Sequence, residues 1–164
     1  MKQGIPAQIQ LFKFANKGLV FSQKYQVSDF PRISDLASNS NGLVEVELNF
    51  GLENKKIPCI KGQIKLDLSL ICQRCLDGVM VHLEPDFNLA FLQNEQQGEN
   101  LDDSFETILN ADEEFSTIEF LTDEILICVP MIPLHQHKCG SYKNPKVALE
   151  KPENPFAILK KLKN

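Results

Sequence analysis

Residues 44–50 alternate strictly: Val44, Val46, Leu48 and Phe50 are apolar, and Glu45, Glu47 and Asn49 between them are polar. A period of two predicts a strand with one face buried. The pattern returns in residues 60–70, where Ile60, Ile64, Leu66, Leu68 and Leu70 share parity and Lys61, Gln63, Lys65, Asp67 and Ser69 oppose them. It appears again in residues 79–91, with Val79, Val81, Leu83, Phe87, Leu89 and Phe91 on one face and His82, Glu84, Asp86 and Asn88 on the other. Pro85 has no N–H to give a ladder, so this third strand is expected at an edge or bulged there. Two shorter strands are expected at residues 8–14 and 20–27, separated by turn chemistry at residues 16–18. A helical turn is expected near Ser28, capped by Ser28 or Asp29, with Pro31 tolerated early in it.

The period then changes. Ser116 with Glu119 makes a capping box, Phe115 with Phe120 has the spacing of a hydrophobic staple, and Ile118, Leu121, Ile125 and Val129 form an apolar stripe. These predict a helix that Pro130 and Pro133 bring to an end. Ahead of it, residues 93–114 are polar and acidic, and the stretch 93–106 is expected to be a mobile loop. Pro145, Pro152 and Pro155 stand among lysines near the C-terminus, before a short Phe156, Leu159, Leu162 pattern. The pattern predicts an α+β fold: an antiparallel β-meander or partly open barrel with one or two packed helices and an extended C-terminal tail. Residues 1–143 are expected to make one domain and residues 144–164 a basic, proline-containing tail.

Charge changes the picture more than composition does. The net charge of −5 conceals two basic ends, with 10 Lys/Arg against 6 Asp/Glu in residues 1–74 and 7 against 2 in residues 138–164. Between them, residues 75–137 carry 14 Asp/Glu and no Lys or Arg. That middle should repel phosphate and attract basic surfaces. No basic start leads into a long apolar run, and no apolar run approaches the roughly 20 residues a membrane span needs, so a cytoplasmic chain is expected.

Five cysteines, Cys59, Cys72, Cys75, Cys128 and Cys139, are an odd number and argue against a disulfide framework. Cys72 and Cys75 form a CxxC between two patterned strands, where two thiolates can grip one Zn²⁺ at about 2.3 Å per bond. Four ligands are needed, and Cys139 with His135, or His137 in its place, can supply the rest. Simple core packing of these cysteines is the alternative. A thiol oxidoreductase fits less well, because the pair follows a strand instead of opening a helix that would lower a thiol pKa. Cys59 and Cys128 suit structural positions, and His82 beside Glu84 and Asp86 suits a solvated strand. No catalytic constellation and no phosphate-cradling glycine loop appears, so an enzyme is not expected.

Three stretches together resemble a known family: Ile71-Cys-Gln-Arg-Cys-Leu76, the run from Glu124 through Pro130, Pro133 and His135 to Cys139, and Asn154-Pro-Phe-Ala-Ile-Leu-Lys-Lys-Leu-Lys163. In order and spacing the chain is similar to the YceD family of large ribosomal RNA subunit accumulation proteins, from about residue 44 to its end. One departure is that His135 and His137 both precede Cys139, where a single histidine is expected. The resemblance implies a non-enzymatic factor supporting synthesis, processing or accumulation of 23S ribosomal RNA. Precursor ribosomal RNA or a pre-ribosomal particle would be its partner, with no membrane and no small-molecule substrate. Arg74, Lys138, Lys143, Lys146, Lys151, Lys160, Lys161 and Lys163 are candidate phosphate contacts, with Lys55, Lys56, Lys61 and Lys65 as helpers. Tyr142 and Phe156 can stack on bases. The alternative role is an adaptor or chaperone for a basic large-subunit ribosomal protein, held through the acidic middle.

Overall fold

The computed structural model describes residues 4–99, 101–110 and 112–140. The expectations for residues 141–164, including Tyr142, Lys143, Lys146, Lys151, Phe156, Lys160, Lys161 and Lys163, fall outside the described residues.

The three alternating segments build the sheet. Strand β3, Leu43–Glu53, pairs antiparallel with β4, Ile57–Ile71, through a tight turn in which Asn54 and Lys55 both have positive φ. The other edge of β4 is covered by two segments in line, β5 at Gly78–Leu83 and β6 at Asp86–Leu92. One register runs through both, from Ile71↔Gly78 to Cys59↔Ala90, and Ile64 N–H still donates to Pro85 O at 2.9 Å across the break. The third predicted strand is therefore one strand interrupted at Pro85, which has no N–H to return the bond. Strand β2, Val20–Gln26, pairs antiparallel on β3, and β7, Glu106–Leu109, lies parallel to β6. The sheet is open, ordered β2-β3-β4-β6-β7 with β5 beside the far half of β4. The fold is thus α+β with a mostly antiparallel open sheet, and the barrel alternative is not realised.

Residues 8–14 do not form the expected strand. Only Gln8–Gln10, β1, is extended, paired with β8 at Glu114–Ser116, and the chain then turns into helix α1, Leu11–Lys17. Leu11, Phe14 and Ala15 are all buried on its inner side. Their i, i+3, i+4 spacing is helical, and it outweighs the alternation that Ile9 and Leu11 suggest. Gly18, at φ 58°, closes the helix with its N–H on Phe14 O and Ala15 O, so the glycine predicted to turn a hairpin is a helix cap. The expected turn near Ser28 is a short 3₁₀ segment, Val27–Asp29, in which Asp29 Oδ2 accepts from Gln26 N–H at 2.8 Å. Pro31 then opens helix α2, Pro31–Ser34.

Helix α3, Thr117–Cys128, is the predicted one. Ser116 Oγ accepts from Glu119 N–H at 3.3 Å, which is the N-cap half of the expected box, and the Phe115 and Phe120 rings meet at 5.4 Å, as the staple requires. Leu121 and Ile125 are fully buried against the sheet. The helices cover one sheet face, where Val44, Val46, Leu48, Ile60, Ile64 and Leu68 are each 0–1 % exposed. The acidic segment is tethered. It contains a 3₁₀ turn at Glu95–Gly98 capped by Asn94, and Leu101 and Phe105 pack on Ile57, Ala90 and Leu92. No helix among the described residues is long and apolar enough to cross a membrane.

Candidate metal centre

Strand β4 ends at Ile71, and the next residues fold into a knuckle before β5 begins. Cys72 N–H donates to Asp77 O at 2.8 Å and Leu76 N–H to Cys72 O at 2.9 Å. Leu76 takes the left-handed conformation, φ 66°, that lets the chain reverse around the two sulfurs. Past α3, the prolines direct the chain back over this knuckle, and Gln73 N–H donates to Pro133 O at 2.9 Å. Gly140, φ 64°, closes the approach: a Cβ there would sit 3.2 Å from both Arg74 O and Cys75 Cβ.

The result is a cluster of Cys72, Cys75, His135 and Cys139 whose donor atoms all lie within 4.8 Å of one another. Cys72 Sγ is 3.6 Å from Cys139 Sγ, and Cys75 Sγ is 3.4 Å from His135 Nδ1. His135 Nε2 lies 3.0 Å from Gly78 O. A carbonyl only accepts, so the proton belongs on Nε2, and the Nδ1 lone pair is left facing the sulfurs. Arg74 spans the two halves. Its Nε–H donates to Cys139 Sγ at 3.1 Å, and Nη2 donates to His135 O at 3.0 Å and to His137 O. A fixed fork of donors suits that bridging.

Within the cluster the sulfurs work against one another electrostatically. Burial opposes ionising Cys72, yet the peptide N–H groups of Cys75, Arg74 and His135, with Cys139 alongside, bring its thiol down to about 5. Burial likewise opposes ionising Cys139, but Arg74 leads the groups that hold its thiol low. At Cys75 the Asp77 N–H favours the thiolate, while desolvation and the Cys139 and Cys72 sulfurs win and push the thiol up to about 11. His135 is raised by Cys139 and then Cys72. The surroundings thus lower two of the thiols and raise the third, whose ionisation its neighbouring sulfurs oppose. A dication among them reverses that resistance, because its charge favours every thiolate at once.

Of the residues expected at the centre, His135 is inside the cluster. His137 stands outside it, exposed, with its ring 4.9 Å from that of His135 and its carbonyl on Arg74. Arg74, expected as a phosphate contact, directs its guanidinium inward to the cluster. Lys138 is exposed beside the centre. Lys61 lies 5.0 Å from the centre of the Phe105 ring, Lys65 pairs with Glu84 at 3.5 Å, and Lys55 and Lys56 are exposed near the β3–β4 turn. Cys59 is buried and Cys128 exposed, both away from the cluster. His82 bonds Asp67 at 2.6 Å and Glu84 at 3.0 Å on the exposed sheet face. The reach of Arg74 to Cys139 had no signal in the sequence, because it depends on a contact 65 residues apart.

A two-layer α+β domain with a Cys₃His knuckle defines the class, and comparison with known proteins places it. The family described as "Large ribosomal RNA subunit accumulation protein YceD" matches residues 60–163, and the chain belongs to that family. It is similar to the large ribosomal RNA subunit accumulation protein YceD of Haemophilus influenzae, 28 % identical over 170 residues that cover 99 % of this chain and 98 % of that one. No solved structure matches.

Proposed function

We propose that this chain is a non-enzymatic cytoplasmic factor that supports accumulation of large-subunit (23S) ribosomal RNA, with precursor ribosomal RNA or a pre-ribosomal particle as its partner. The observation that carries this is the likeness to the Haemophilus influenzae protein, whose name states that role, over 99 % of the chain. In this proposal the domain spans residues 1–143, and Lys138, Lys143, Lys146, Lys160, Lys161 and Lys163 reach phosphates. The test is a deletion strain: 23S should fall relative to 16S ribosomal RNA and recover with the wild-type chain. An unchanged ratio contradicts the proposal. For direct RNA contact, gel shifts on precursor 23S RNA should weaken steeply with salt and on changing the six lysines to glutamine; equal binding by that variant contradicts it.

The same proposal gives Cys72, Cys75, Cys139 and His135 one structural Zn²⁺. The donor set fits: three sulfurs and one imidazole nitrogen of fixed tautomer would supply the four ligands that a structural zinc takes. Zinc there would cross-link the knuckle after β4 to the chain leaving α3. A second role, as adaptor for a basic large-subunit ribosomal protein, is favoured by the absence of any Lys or Arg in residues 75–137.

A further inference from the structure

Strand β5 has β4 on one side. The bonds Cys72 N–H to Asp77 O and Ile64 N–H to Pro85 O set the parity of that ladder, so odd-numbered residues of β5 turn their peptide groups toward β4. Gly78, Met80 and His82 therefore turn theirs outward. Gly78 O meets His135 Nε2 there, which confirms the direction. Among the described residues the outward N–H and C=O groups of Met80 and His82 have no partner. Beside this edge runs a groove of about 660 Å³, walled by residues 79–82 on one side and by Pro130 and residues 132–136 on the other. Its apolar side chains face solvent: Met80 is 65 %, Ile132 66 % and Leu134 46 % exposed.

The charge around the groove is mostly negative. Both walls belong to the stretch without Lys or Arg. Burial raises the Cys128 thiol, two residues before Pro130, and Glu124 and then Asp86 add to it; burial likewise raises the Glu124 carboxyl most, followed by Glu106 and Asp123. The cations nearby are Lys65, held on Glu84, Arg32, held on Asp123, and, at the His135 end, Arg74, held on Cys139 Sγ and the His135 carbonyl, with Lys138 exposed beyond it. An extended segment adding to β5 would satisfy the open peptide groups, place alternate side chains on Met80, Ile132 and Leu134, and bring any basic residues toward the carboxylates of the surrounding acidic stretch.

We infer that the β5 edge and its groove form a docking surface for an extended, lysine- or arginine-bearing polypeptide segment of another protein, which binds by strand addition. The inference deepens the adaptor role by naming its surface, and it holds independently of RNA contact.

The full-length zinc-supplied protein is titrated with a fluorescent peptide of alternating valine and lysine. Saturable binding that weakens with salt is expected, with none for the valine–glutamate peptide or for a valine–lysine peptide N-methylated at alternate residues in the edge-facing register. Met80→Lys with Ile132→Lys, both exposed and checked for unchanged melting, should weaken binding by about tenfold or more. Undiminished binding to that variant, or equal binding of the acidic peptide, overturns the inference. A benzoylphenylalanine placed at Met80 should crosslink to the added peptide. Crosslinks to this chain's residues 141–164 or to a second copy would make one of those the occupant and overturn it, as would displacement of the peptide by an RNA oligonucleotide that the variant no longer binds. Failure here leaves the 23S ratio unaffected, so it is distinguishable from failure of the accumulation role.

Discussion

Arg74 shows how one side chain can hold two distant segments. Its three bonds reach one cysteine sulfur and two carbonyls of the opposite segment. With zinc bound, three thiolates would exceed the ion's charge by one, and the guanidinium would balance that excess. Arg74→Gln should therefore speed zinc loss to a chelator by about tenfold or more, in line with outer-shell changes at other metal sites, while Lys138→Gln leaves it unchanged. Equal rates for Arg74→Gln and wild type would contradict this. His82 offers a pH prediction. Asp67 and then Glu84 raise its pKa above the ordinary 6.5, so the charged pair stabilises the fold fully below that value and loses effect as pH rises through the raised one. The melting difference between wild type and His82→Ala should be larger at pH 5.5 than at pH 9; a difference independent of pH would contradict it.

At the scale of elements, close packing between sheet and helix carries the strongest prediction. Gly62 pairs with Phe87, and a Cβ on Gly62 would fall 2.1 Å from the Phe87 ring, which in turn meets Phe120 of α3 edge-on at 5.7 Å. Gly62→Val should destabilise the protein by roughly 1–3 kcal/mol through overpacking, and Leu121→Ala by roughly 2–5 kcal/mol through the cavity it leaves, both measured by denaturant titration. Gly62→Val melting like wild type would show that the ring does not rest there. The long strands and α3 were legible because each keeps one period for seven residues or more. Strands β7 and β8 were not, since three or four residues hold too few turns of the pattern to stand out, and β1 was read only as the start of a longer strand. Helix α1 was misread because Ile9 and Leu11 alternate as a strand would, while Phe14 and Ala15 complete a helical face only once the sheet is there to cover it. In the acidic stretch, Leu101 and Phe105 are apolar anchors too sparse to show a period. At the centre, the four donors were legible as residue types with His137 as the alternative to His135, and what the sequence did not carry is the Gly78 carbonyl that orients the His135 ring.

For the whole molecule, the centre joins parts that are far apart in sequence. Cys75 and His135 are 60 residues apart, and that interval contains β5, β6, β7, β8 and α3. A metal bond closing so long a loop restrains the unfolded chain and favours the folded one by mass action. Stripping zinc should lower the melting temperature by on the order of 10 °C, and adding zinc back should restore it. Unchanged melting after complete removal would show that the hydrophobic layers hold without the cross-link. The charge pattern acts at the same scale: basic segments flank an acidic middle, so phosphate and basic protein would be drawn to different parts of the chain.

The most direct measurement is zinc K-edge X-ray absorption on freshly purified protein, with metal content from the same sample. One zinc per chain is expected, with three sulfurs at about 2.3 Å and one nitrogen at about 2.0 Å. A chain isolated without zinc under reducing, chelator-free conditions, or a shell of oxygen and nitrogen, would contradict the account.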